Sequence, residues 1–497
     1  MAVNLTNLRT ALADLEEQGE VLRLTAEADP ILEIAALQKA LDNGPVLLFE
    51  NIKGYPGVRH VANLFGRRER LARAFGVENP KDFKRKCLSA IKNPIPPRVV
   101  GDAPCQEVVI TDNLDVLSVL PALMYSDIDA GRLISGGCIL IRGEYALGGS
   151  ELSVKRMHYR GPDWASMAAN PTSHGGLLRF VEMRKEKVPM TVNIGVPPGV
   201  LVTAGGNCLH TVVPLGSDEV AIAGGLQGFP VDLVKAKTVD AYAIAEAEWV
   251  IEGYWMPQRV FESDEAERIG KVDAVPLFPE WTGYMGNARS VYKFQTTALT
   301  HRKDRPIYHA PLAHGYEHDE IINSFREACF LELAERIIPG MVLDVTTPFC
   351  LGSFGGIVFQ VRKRRPLDEG FQKDILLSAM GSSPGLPLAI AVDEDVNIYS
   401  ADDLLWAMNS RVDRDNGVFR GPKGSRGFGM MPMEVGQSFP GGIAIDATVP
   451  FGDRERFRRG HPAVDKLDLG KWVTPEQLKE IRSMQCEYAR FLGEVGY

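Results

Sequence analysis

Apolar and polar positions follow three different regimes along the chain. At the start, Leu8, Ala11, Leu12 and Leu15 recur at helical spacing, and Gly19 supplies a stop. A short strand over 21–24 comes next, then an amphipathic helix opened by Asp29-Pro30, an apolar strand over 46–49 and a turn at Gly54-Tyr55-Pro56-Gly57. This opening reads as a small α/β unit. Asn93-Pro94-Ile95-Pro96-Pro97 is extended and separates it from the central region. From residue 108 to about 291 the dominant period becomes two. Short β-rich runs lie at 133–142, 152–157, 190–194, 220–223 and 249–251, with a helical insertion over about 164–187. Many short strands with Gly/Pro punctuation predict a barrel or sandwich.

The third regime opens at 319–338, where Ile321, Ile322, Phe325, Ala328 and Cys329 keep helical spacing up to Pro339-Gly340. Strands at 357–361 and 388–392 then alternate with helices at 368–380 and 400–408, a layered α/β order in which Ser400 and Asp403 form a capping-box pattern. Residues 414–442 are glycine-rich and aperiodic, which fits a lid or a disordered loop. Thr474-Pro475-Glu476-Gln477 opens a final helix to about 493, which docks on its own body or reaches a partner subunit.

Composition narrows the class. At 497 residues the chain needs two or three domains, and 45% apolar with 24% charged residues is ordinary for a globular protein. The net charge of −9 and pI near 5.6, with only short basic runs at 362–365 and 454–459, argue against nucleic acid. No apolar run reaches the roughly 18 residues that span a bilayer, so no membrane partner is expected. The seven cysteines are scattered without a C-x-x-C pair, which suits reduced thiols and a cytoplasmic setting.

Candidate chemistry centres on Glu151-Leu152-Ser153-Val154-Lys155-Arg156, a period-two strand whose charges need partners because unpaired buried charge is expensive. Strict alternation puts Glu151 and Arg156 on opposite faces, so a shared site predicts a bulge or a ligand wrapping the strand end. Glu219 precedes the apolar run 220–223 and, alone, reads as a surface carboxylate at a strand start. His174, in Pro171-Thr172-Ser173-His174-Gly175-Gly176, alone reads as a local hydrogen-bonding residue. One imidazole and two carboxylates together suit a hard divalent ion, Mn²⁺ or Mg²⁺. Glu280 stands among Phe278, Pro279, Trp281 and Tyr284. An aromatic cage there raises a carboxyl pKa and suits acid–base catalysis, while the plainer reading is a strand-end glutamate beside packing aromatics. Arg156 fits an anion clamp or an ordinary ion pair. Gly224-Gly225-Leu226-Gln227-Gly228 and Gly352-Ser353-Phe354-Gly355-Gly356 lack nucleotide-loop spacing and suit turns and close packing.

Five segments in order carry a family pattern. They are Phe49-Glu50-Asn51-Ile52-Lys53-Gly54-Tyr55-Pro56-Gly57, Ala103-Pro104-Cys105-Gln106-Glu107, Ile251-Glu252-Gly253, Pro279-Glu280-Trp281-Thr282-Gly283-Tyr284 and Val392-Asp393-Glu394-Asp395-Val396. With them the chain resembles, over essentially its whole length, the UbiD family of reversible decarboxylases that use prenylated FMN. The resemblance implies an α+β fold with an N-terminal α/β segment (1–105) and a central split β-barrel, flavin-reductase-like and cofactor-binding (106–312). A linker helix (313–340), a C-terminal α/β oligomerisation domain (341–470) and a C-terminal helix (471–497) complete it.

It further implies Glu151, His174 and Glu219 as ligands of Mn²⁺ or Mg²⁺ on the cofactor phosphate, with K⁺ nearby. Leu152, Ser153, Val154, Lys155, Arg156 and Ser173 would join them in holding the cofactor. Arg156 and Glu280 take the catalytic positions, and His318 and Trp281 the substrate positions; His318 also fits a solvent-facing helix start. Three departures stand out: Glu151 replaces the family's Asn, Val275 occupies the place of a second network glutamate, and Leu388 that of a cofactor-contacting Lys. The pattern around Glu280 and Asp393 resembles the hydroxybenzoate and protocatechuate branch. Implied partners are a small aryl carboxylic acid, a flavin prenyltransferase as cofactor supplier, and further copies in a homodimer or homohexamer. Two other classes stay open: a flavin reductase or FMN oxidoreductase on the same barrel, and a non-catalytic metal-stabilised oligomer.

Overall fold

A computed structural model describes residues 3–168, 178–206, 208–383, 385–421, 431–432, 441–460 and 466–494. The chain divides into two compact units, Met1–Glu332 with Phe428–Ser438, and Leu333–Gly427 with Phe439–Tyr497.

In the first unit, strands Val21–Ala28, Val46–Ile52 and Arg59–Ala62 form a sheet that is completed by Ile307–His309, returning from much later in the chain. The helix expected to open at Asp29-Pro30 runs over Glu33–Ala40 instead. The centre of the unit is a closed antiparallel barrel of six strands, giving a mixed α+β fold. We label them β1 (Leu133–Arg142), β2 (Ser150–Tyr159), β3 (Trp164–Met167), β4 (Val188–Ile194), β5 (Trp249–Phe261) and β6 (Ser290–His301). Around the barrel they run β5–β4–β1–β2–β3–β6, and β6 closes back onto β5. Its core includes Ile139, Ile141, Met157, Met190, Val192, Ile251 and Phe294, continuous with Phe49 and Leu47 of the N-terminal sheet.

Two expected elements change type. The insertion placed over 164–187 begins instead with β3, and among the described residues its helical part is Arg179–Arg184. The run 220–223, expected as a strand, lies in a helix. Two helices pack here, α1 (Pro198–Gly205) and α2 (Glu219–Gln227). α2 is buried on nearly every side, so its sequence shows no helical period, and Asp218 caps it by accepting from Ala221 N at 3.2 Å. Gly224 and Gly225 serve close packing: a Cβ on Gly224 would come within 2.4 Å of Ile95 O, and one on Gly225 within 2.7 Å of Asn93 O. The helix expected over 319–338 is α3 (Tyr316–Ile337).

The second unit holds a five-stranded sheet in the order Val342–Thr346, Gly356–Val361, Leu388–Asp393, Ile443–Ala447, Val418–Arg420, with parallel pairing in the middle. Helices Phe371–Ser382 and Ala401–Arg411 flank it. Ser400 accepts from Asp403 N at 3.3 Å, but the Asp403 side chain turns to Asn397 N, so the capping box is only half made. At Thr474 both halves form. Most of the glycine-rich stretch 414–442 lies outside the described residues. The seven cysteines form no disulfide, and among the described residues no helix is long and apolar enough to cross a membrane.

Candidate active site

β2 organises the site. Its pairing with β1 runs regularly from Arg142–Ser150 to Gly137–Lys155, then slips: Ser135 and Gly136 of β1 together face Arg156. The expected irregularity therefore sits on the neighbouring strand, where it adds twist and re-aims the side chain opposite. On its other side, among the described residues, β2 pairs with β3 only over Met157–Tyr159. Among the described residues the edge of β2 over 151–156 is thus a split in the barrel wall, with Ser150 bridged to Asp218. Backbone groups alternate between the two sides of a strand, so those of Leu152, Val154 and Arg156 face the split.

At the near end of that edge α2 is pinned to β2. Ser150 Oγ lies 2.5 Å from Asp218 Oδ1, Val220 N donates to Ser150 Oγ at 2.9 Å, and Leu152 N donates to Glu219 Oε2 at 2.6 Å. Glu151 is also buried here. Burial and the charge of Glu151 push the Glu219 carboxyl up to about 8. Two carboxylates repelling one another, Glu151 buried and Glu219 half-buried, are a donor set that a divalent cation would settle, so the residues fit a metal. The third expected donor, His174, lies with Ser173 outside the described residues. Among the described residues no group of three or more His, Cys, Asp or Glu is placed to hold a metal.

At the far end Arg156 binds two glutamates. Its Nε and Nη2 donate to Glu262 at 3.1 and 3.2 Å, and its Nη1 donates to Glu280. Burial works against the guanidinium charge, but the two carboxylates more than offset it and raise its pKa. The guanidinium lies 5.2 Å from the centre of the Phe278 ring. Glu280 is 5% exposed and caps a hairpin of Pro276–Pro279 against Met285–Asn287, with its N donating to Tyr284 O at 2.9 Å. Gly286 makes this seat possible, since a Cβ there would meet Glu280 Cγ at 2.4 Å. Phe278 and Trp281 are buried beside Glu280, whereas Tyr284 is 62% exposed, so the aromatic cage has two walls rather than three.

Three family models match successive parts of the chain. Residues 98–316 match the model described as the 3-octaprenyl-4-hydroxybenzoate carboxy-lyase Rift-related domain, 12–86 its N-terminal domain and 320–447 its C-terminal domain. The chain belongs to the UbiD family. It is a carboxy-lyase of this type. It is 30% identical over 486 residues to gallate decarboxylase of Lactiplantibacillus plantarum, covering 92% of this chain and 97% of that one. The UbiD-class enzyme HmfF from Pelotomaculum thermopropionicum, in an evolved dimeric form in complex with prFMN, superposes with a TM-score of 0.80 at 30% identity, over 94% and 100% of the two chains. The apo 3,4-dihydroxybenzoic acid decarboxylase of Enterobacter cloacae gives 0.82 at 30%, over 95% and 99%.

Within this UbiD-family site two residues are not apparent from the sequence. The second glutamate bonded to Arg156 is Glu262, while position 275, where the resemblance places one, is Val. Glu262 lies just past the end of β5 and is fixed by its own bonds: Arg289 N donates to its Oε2 at 2.9 Å and His158 Nδ1 to its carbonyl at 2.5 Å. Burial lowers the His158 pKa. The second is His314, whose Nδ1 lies 3.1 Å from Trp281 O. Its ring also closes on the Glu280 turn, where a Cβ on Gly283 would come within 3.3 Å of Nε2. His318 stands on the first turn of α3, half-buried, with Nδ1 4.0 Å from Asp319 Oδ1. Leu388 opens a strand of the second unit.

Proposed function

We propose that this chain decarboxylates an aromatic or heteroaromatic carboxylic acid without oxidation, using prenylated FMN held through Mn²⁺ or Mg²⁺ with K⁺ nearby, and runs in reverse under high CO₂. The observation that carries this reading is the Glu262–Arg156–Glu280 trio beside a split in the barrel wall. The relatives named for gallate and 3,4-dihydroxybenzoic acid support an aryl acid as substrate, and the prFMN complex supports the cofactor.

Losing CO₂ from an sp² carbon leaves an electron pair that no side chain here can delocalise; the bound flavin would supply that sink. Glu151, Glu219 and His174 would hold the metal, and the open backbone of Leu152–Arg156 would line the ring system. Three of the five N–H donors of Arg156 are engaged by the two glutamates, which leaves two for the substrate carboxylate. Glu280 would hold a proton and deliver it to the carbon that CO₂ leaves, while Glu262 stays as counter-charge to the arginine. Buried Phe278 and Trp281 would exclude water from that transfer. Ser173 would help hold the cofactor and His318 the substrate, with His314 beside Trp281.

The test is expression of the full chain together with a flavin prenyltransferase, then the spectrum and mass of the released cofactor and CO₂ release across a panel of aryl acids. The expected result is a modified flavin and CO₂ from at least one phenolic or heteroaromatic acid. NAD(P)H oxidation with unmodified FMN would point instead to a flavin reductase.

A further inference from the structure

The bulge opposite Arg156 has restraints of its own. Ser135 and Gly136 share it, and both are tied to the segment that follows the strand Ile307–His309. A Cβ on Gly136 would come within 2.5 Å of His309 O, and Ser135 Oγ donates to Pro311 O at 3.2 Å. That bond uses the one proton of the Ser135 hydroxyl. The Tyr125 hydroxyl, 2.5 Å from Ser135 Oγ, is therefore the donor of its pair, and the bonds run from Tyr125 to Ser135 to Pro311. Burial pushes the Tyr125 phenol pKa up, so it keeps its proton. The same side chain reaches the other neighbour of Arg156. The Tyr125 ring stands edge-on to Phe278, with centroids 6.2 Å apart, and the guanidinium lies 5.2 Å from the centre of that Phe278 ring. The backbone fixes the placement: Leu123 and Leu133 bridge at the base of the loop that carries Tyr125. Within the loop Tyr125 N donates to Asp129 Oδ2 at 2.7 Å, and Ala130 N donates to Leu277 O of the hairpin that Glu280 caps at 2.9 Å.

We infer that Tyr125 is a positioning residue for Arg156: its hydroxyl fixes the bulge opposite the arginine, and its ring fixes the Phe278 face beside the guanidinium. This rests on the decarboxylase reading above and deepens it. The guanidinium is already shared between Glu262 and Glu280, so a substrate carboxylate must meet its remaining donors in one orientation. A bulge sets the local twist of the strands it joins. Released from Tyr125, it would let the strand turn at Arg156 and spoil that orientation. The loss then falls on recognition of the carboxylate and on the proton donor held beside it, and not on the flat ring that carries the carboxylate.

The test uses the full chain made alongside a flavin prenyltransferase, the acid of the panel above that it turns over, and the product of that acid, which lacks the carboxylate. Tyr125→Phe keeps the ring against Phe278 and removes only the link to Ser135. Per bound flavin, kcat/KM should fall by about tenfold or more, with KM for the acid raised and the inhibition constant of the product unchanged. A purely structural role would lower flavin content, or weaken acid and product together. Ser135→Ala cuts the same link from the other side, and the double variant should match it rather than add to it. In the cofactor-free chain, Tyr125→Phe should speed amide hydrogen exchange over 134–137 and leave 150–152 unchanged. If Tyr125→Phe does not fold, Ser135→Ala decides by the same comparison of acid and product. Wild-type kcat/KM, equal weakening of acid and product, additive effects in the double variant or unchanged exchange overturns the inference and leaves the decarboxylase reading standing. If the wild type releases CO₂ from no acid of the panel, that reading falls and the inference with it.

Discussion

The two ends of β2 each gather two glutamates, yet among the described residues only the Arg156 end holds a cation hydrogen-bonded to both. At the Arg156 end the guanidinium hydrogen-bonds both partners, and the trio is complete within the protein. At the Glu151 end, among the described residues, no hydrogen bond joins Lys155 to either carboxylate, and both Lys155 and Glu219 are displaced to about 8 from opposite sides. Arginine explains the first state: its planar fork can satisfy two carboxylates at once. One end is built to act, and the other is built to receive.

The largest effect should come from the completed end. Glu280→Gln removes the proton donor while keeping the shape, and turnover measured as CO₂ release should fall by about 10²–10⁴-fold. Next is Gly286→Ala: its methyl would lie 2.4 Å from Glu280 Cγ, so the carboxyl must move. About a hundredfold loss of kcat is expected from such a misplacement, with KM affected less. If Gly286→Ala retains full activity, the seat of Glu280 is not what sets the chemistry.

The receiving end gives a pH signature. The Glu219 carboxyl is about 8 in the folded chain against an ordinary 4.5. Between those values the folded state holds a proton that the unfolded state has lost, so Glu219 makes metal-free stability fall as pH rises from 4.5 to about 8. The slope is on the order of 1 kcal/mol per pH unit. Denaturant titrations of Glu219→Gln should show that slope removed relative to wild type; identical slopes would contradict the assignment. The smallest effect is expected from Gly224→Ala, which crowds α2 against Ile95 O and should destabilise the chain by about 1–3 kcal/mol.

Legibility differed between the two ends for physical reasons. Arg156 and Glu280 could be read because each sits in a short local motif. Glu262 could not, because its partnership with Arg156 is made across the barrel, and a fixed spacing from Glu280 pointed to Val275 instead. The available signal was a glutamate at the close of a long β run, just before Ser263, which caps the next helix by accepting from Ala266 N at 3.1 Å. Glu219 was read as a strand residue because a helix buried on all sides loses its period. Asp218 before it and Gly228 after it, with a φ of +89°, were cap signals that outweigh the missing period. β4 and α3 were legible although both are largely buried, β4 as a short apolar run bounded by Pro and Gly, α3 as a long run without internal Gly or Pro.

The division of labour along β2 is tested most directly by one measurement: cofactor bound per protomer in Glu219→Gln and Glu280→Gln, each made alongside a flavin prenyltransferase. Glu219→Gln is expected to emerge with little or no flavin, while Glu280→Gln carries as much as the wild type. Full flavin content in Glu219→Gln, or equal loss in both variants, would contradict that division.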